Sequence, residues 1–259
     1  MAVRTILDKR AGIDAPTLRK DTWWVPPVIT FVVLGTFVVY STWAAFQGSN
    51  YFHAPYLSPL YSPCLASRCI DHVTPTVLGR WWAISPAIAI LPFPLLFRAT
   101  CYYYRKSYYR AFFFSPPACA VKEPRKRYLG ESHGVFLVQN IHRYAWWLVL
   151  PFCVFLTWDA VRAFFFPNGF GMGLGTLILC VNALLLNAYT FSCHSARHIL
   201  AGHVDRFSRA RFRSKLWNKL TWLNERHMPI AWASLLVVGF SDLYVRLVAS
   251  GTIHDPRFF

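Results

Sequence analysis

The run VPPVITFVVLGTFVVYSTWAAFQ (25–47) contains no Lys, Arg, Asp or Glu. A bilayer core of about 30 Å asks a helix for about 20 such residues. In lipid the backbone must satisfy its own polar groups, which leaves the helix as the natural reading. Four further apolar blocks follow, at about Trp81–Cys101, Tyr144–Phe166, Gly171–His194 and Met228–Ala249. Of the 259 residues 55% are hydrophobic and 18% aromatic, and the charges lie between the blocks. The pattern predicts an all-α integral membrane protein, a bundle of about five transmembrane helices. Trp23, Trp24, Trp43, Trp81, Trp82, Trp146 and Trp147 fall near block ends, as interfacial aromatics do. Pro86, Pro92 and Pro94 predict a kink in the second block.

The net charge is +16, which by itself would suit nucleic acid. The 27 Lys and Arg are not spread evenly, however: five precede the first block, nine lie in 98–143 and eight in 197–226. This bias predicts a cytoplasmic N-terminus, cytoplasmic basic loops and an external C-terminus in the plasma membrane. No nucleic-acid motif accompanies the charge. Arg4, Lys9, Arg10, Arg19 and Lys20 come before any apolar run, so no cleavable leader is expected. The chain divides into a cytoplasmic segment, 1–24, and a transmembrane domain, 25–259, with basic loops at 102–142 and 199–227. The first loop mixes aromatics with arginines around Pro116–Pro117. The second sets Leu216, Trp217, Leu220 and Leu223 at helical spacing, which predicts an interfacial helix on anionic headgroups. A docking platform for a cytoplasmic protein is the sharper alternative.

This topology gathers cysteines and histidines in one layer. Cys101 ends the second block and His142 begins the third. Cys193, His194 and His198 end the fourth, His227 begins the fifth, and Cys119 and His133 lie in a connecting loop. His194 and His198 are four apart and share a helix face. Taken singly, each is an interface histidine bonded to headgroups or carbonyls. As a group they suit a metal centre, iron–sulfur or haem. No CxxC pair supports zinc. Asp159 and Asp242 are carboxylates within spans, with Arg162 and Arg246 about a turn away. They read as an ion-pair layer, or as ion-coupling sites of a small membrane transporter. Cys64 and Cys69, flanked by His53 and His72, are placed outside, where a disulfide is feasible.

The runs TCYYYRKSYYR (100–110), SPPACAV (115–121), QNIHRY (139–144), SCHSARH (192–198), LNERHM (223–228) and AWASL (231–235), with YLSPLYSPC (56–64), carry a resemblance. Together they resemble the membrane anchor subunit of actinobacterial succinate dehydrogenase, respiratory complex II. The resemblance implies partners: a flavoprotein subunit that oxidises succinate, an iron–sulfur subunit, membrane lipid, and quinone as substrate, in a complex that could be a higher oligomer. It implies a Rieske-type 2Fe–2S cluster drawn from Cys101, Cys119, Cys193, His142, His194 and His198, with haem b as the alternative cofactor. Ala196 offers no ligand within SCHSARH. His227 and Trp232 are the candidates for quinone binding.

Overall fold

The computed structural model describes residues 19, 21–64, 74–76, 79–121, 141–206 and 208–259. Among these, four helices are long and apolar enough to cross a membrane. They are α1 (Val25–Gln47), α5 (His142–Arg162), α6 (Leu174–Phe191) and α9 (His227–Ala249). α9 is the most buried of the four, at 44%, and α1 the least, at 11%. The first therefore sits in the core, and the second leaves most of its surface uncovered by the rest of the chain.

The second apolar block departs from the expected single span. Its start, Gly79–Ile84, is a strand (β4) paired antiparallel with β3 (Thr74–Thr76). Its remainder forms two short helices, α2 (Pro86–Ile90) and α3 (Pro92–Thr100). Leu91 N donates to Ala87 O and Leu95 N to Leu91 O, so the ladder nearly continues across the break. Pro92 and Pro94 have no N–H to add to it. From Pro86 to Thr100 the helical length is roughly 22 Å, short of a bilayer core. Among the described residues the bundle of about five helices thus consists of four long ones, with a broken helix pair where the proline-rich second block was expected to kink.

The chain separates into two compact units, 1–36 with 99–140, and 37–98 with 141–259. In the first, α4 (Tyr102–Ala111) begins after Cys101, and Phe31 of α1 meets Phe112 with ring centroids 4.8 Å apart. In the second, α6 packs against both α5 and α9. Ala160, Ala163, Leu179, Ala183 and Val245 fill that contact, with Tyr56 at its edge. Two tight hairpins, β1–β2 (Phe52–His53, Tyr56–Leu57) and β5–β6 (Phe165–Phe166, Gly169–Phe170), lie in the connections.

Two short helices complete this unit, α7 (His194–Ala201) and α8 (Arg211–Glu225). The expected apolar face of α8 is present: Leu220 is buried, and Leu216, Trp217 and Leu223 are half-buried. Trp217 meets His198 edge to face at 5.2 Å and carries the Arg197 guanidinium over its ring at 4.5 Å.

At the end of the bundle away from His227, Asp242 is buried against Arg246, with Tyr40 donating to Oδ2 at 2.5 Å and Ser58 donating to Oδ1. Asp159 accepts from Ser62. Asp255 accepts from Tyr56 OH and Tyr244 OH, both at 2.6 Å, and from Gly175 N at 2.8 Å. Its charge thus meets the positive end of α6. The ion-pair reading of Asp242 is the observed one. A carboxylate committed to three donors is poorly suited to release and rebind a transported ion. Cys64 is disulfide-bonded; Cys69, its expected partner, lies outside the described residues, as do His72 and His133.

Candidate functional site

His142 opens α5, Ser192 and Cys193 follow α6, and His227 opens α9, so three helix ends meet at one end of the bundle. His142 Nε2 lies 2.9 Å from Cys193 Sγ, and both residues are buried. The Cys193 sulfur also accepts from Ser195 N at 3.4 Å, which caps α7.

Aromatic rings extend the layer. Phe97 stacks on His142 with centroids 4.8 Å apart and planes 8° from parallel. It meets Tyr189 edge-on at 5.4 Å, and Tyr189 stacks on His227 at 5.1 Å. The Arg98 guanidinium lies 4.6 Å from the Tyr189 ring centre and donates to Ser234 Oγ at 3.1 Å. A cation held between an aromatic face and a hydroxyl on an apolar helix is a candidate functional position.

Hydrogen bonding orients the His227 ring. Ser192 Oγ lies 2.6 Å from His227 Nδ1 and 3.0 Å from Tyr189 O, so the hydroxyl bridges the imidazole to the last turn of α6. Asn224 Nδ2 holds Ser192 O at 2.6 Å, tying α8 to the same turn.

The other expected residues are placed differently. His194 and His198 are exposed on α7, the first 3.4 Å from Arg197 and the second against Trp217. Desolvation, then the charges of Arg197 and His198, hold His194 below the usual histidine range. Desolvation and Arg197 do the same for His198. Cys101 is buried as the N-cap of α4, and its carbonyl accepts from Arg105 N at 2.9 Å. Cys119 is exposed, with its carbonyl held by Arg19 at 2.9 Å. Both cysteines belong to the first compact unit. Trp232 is half-buried on α9, five residues beyond His227.

A Rieske-type cluster needs two thiolates and two imidazoles. Among the described residues no group of three or more His, Cys, Asp or Glu side chains stands at metal-holding range. The layer assembles one nitrogen–sulfur pair, His142 with Cys193, and not a four-ligand set. Phe97, Arg98, Tyr189, Ser192 and Ser234 were not foreseen as site residues. The available signal was Arg98, a cation directly after the apolar run PFPLLF.

A search of curated proteins finds no match. Among solved structures, a chain of the Mycobacterium smegmatis Sdh1 complex in the apo form is 45% identical, with 97% of each chain covered and a TM-score of 0.85. The family model described as actinobacterial succinate dehydrogenase subunit SdhC matches residues 25–251. With its apolar spans and its buried His–Cys layer, the chain belongs to the family of actinobacterial succinate dehydrogenase membrane subunits.

Proposed function

We propose that this chain is the electron-accepting, quinone-reducing anchor of its complex, and that quinone is reduced beside His227. The observation that carries this is the oriented imidazole of His227, buried in an aromatic layer that also holds the Arg98 cation. Succinate is oxidised on the flavoprotein subunit, and electrons come through the iron–sulfur subunit docked on the first basic loop, 102–142; both basic loops face the cytoplasm.

Quinone takes up two electrons and two protons to become quinol. Its ring needs an apolar slot, and its carbonyl oxygens need hydrogen-bond donors that can also deliver protons. Ser192 fixes the ring orientation of His227 through Nδ1, and Nε2 is the atom that takes a proton from water and passes it on. Arg98 stabilises negative charge as it develops on a quinone oxygen.

The His142–Cys193 pair would supply one thiolate and one imidazole, half of the ligand set of a Rieske-type 2Fe–2S centre, and its sulfur favours that centre over haem b, which asks for facing imidazoles. Such a centre would relay single electrons between the iron–sulfur subunit and quinone. Acid-labile sulfide beyond that of the soluble subunit, reduced in a Cys193→Ser complex, supports it. A haem α-band in the reduced spectrum assigns haem b instead.

Photolabelling the purified complex with an azidoquinone tests the quinone site. Adducts competed by quinone on peptides spanning 189–198 or 227–234 are expected. Adducts confined to other peptides would exclude this layer.

A further inference from the structure

We infer that the outer face of α8 is a binding surface for anionic phospholipid headgroups. Arg211, Lys215 and Lys219 recur every fourth residue, Trp222 follows three later, and Arg226 four beyond that. This spacing keeps them on one stripe of the helix. Phe212 borders the stripe. All six residues are exposed, with Phe212 at 79% and Trp222 at 58%. The opposite face is already used: Trp217 lies against His198, Thr221 accepts from Arg197 at 3.3 Å, and Asn224 holds Ser192 O.

Charge identifies the occupant as an anion. Glu225 is the only acidic residue within Arg211–Glu225, and it is at the far end. Arg211 and Arg213 stand in the first turn, where the helix dipole repels cations and where no acidic residue compensates them. Negative charge from outside the helix relieves that repulsion.

The aromatics and the position select lipid over an acidic protein. Trp222 carries the Arg226 guanidinium 4.1 Å from its ring centre, the pairing of apolar body and cationic tip that suits headgroup depth. Arg226 joins α8 directly to the apolar span α9, so the stripe ends at the bilayer surface. Each cation held at such a surface strengthens binding roughly fivefold.

Hydrogen exchange on the intact complex in nanodiscs tests this, comparing phosphatidylcholine alone with phosphatidylcholine containing phosphatidylglycerol. Peptides covering 211–225 are expected to exchange several-fold more slowly in the anionic discs. R211Q/K215Q/K219Q, which alters exposed side chains only, is expected to abolish the difference while the soluble subunits stay bound. Equal exchange in both discs would overturn the inference. So would protection in zwitterionic discs that appears only when the soluble subunits are present, because the stripe would then be a protein contact.

Discussion

Arg246 Nε donates to Asp242 Oδ2 across 2.8 Å, one turn apart on α9, and the two side chains are only 6% and 0% exposed. The pair also holds the neighbouring connection. Arg246 donates to Ala44 O and Ser49 O, both at 2.9 Å, and Asp242 takes the hydroxyls of Tyr40 and Ser58. The end of α1 and the segment after it are thereby fastened to the central helix. Removing one member strands a buried charge, which costs about 3–5 kcal/mol. Asp242→Ala is therefore expected to lower the melting temperature of the detergent-solubilised complex sharply. Asp242→Leu combined with Arg246→Met is expected to recover part of the loss, as differential scanning fluorimetry would show.

A second outcome concerns close backbone approach at the start of α6. A Cβ on Gly175 would stand 2.7 Å from two ring carbons of Tyr56, and one on Gly173 would run into Asp255 Oδ2. Tyr56 and Asp255 are locked together by their own hydrogen bond, so neither yields easily. Gly175→Ala is expected to destabilise by about 1–3 kcal/mol through overpacking. Gly35→Ala, on α1 with nothing within 4 Å of the added carbon, is expected to stabilise by about 0.5–1 kcal/mol. Thermal denaturation of the two variants should move in opposite directions.

The histidines of α7 imply a pH dependence. Desolvation and Arg197 place the folded-state pKa of His194 and of His198 below the unfolded value of about 6.5. Such groups favour the folded state in their neutral form. Their contribution is fully present above about pH 6.5 and is lost as pH falls below it. Amide protection across 194–201, corrected for intrinsic exchange, is expected to fall on acidification. His194→Gln with His198→Gln is expected to flatten that dependence.

Hydropathy made the four long helices legible: α1 has the expected bounds, and α9 begins one residue early. In the second block Pro86, Pro92 and Pro94 announced the break, but hydropathy, which averages over a window, gave no sign that 79–84 pairs as a strand. The meeting of His142, Cys193 and His227 followed from topology alone, since alternating spans bring those ends together. The stacking of Phe97 and Tyr189 did not. It depends on how each helix is rotated about its axis, which apolar residues on all sides of a lipid-facing helix leave undefined. Arg98 was counted as a loop charge, whereas it reaches Ser234 of α9 and the face of Tyr189.

The central claim is that electrons reach quinone beside His227, and a paired assay on the His227→Ala complex tests it. Succinate-driven reduction of a water-soluble dye reports the soluble subunits, and reduction of quinone reports the anchor. Loss of a positioned proton donor lowers turnover by roughly 10²-fold or more. The expected result is a fall of that size in quinone reduction with dye reduction unchanged. Quinone reduction at the wild-type rate, or falling only in step with the dye, would contradict the account.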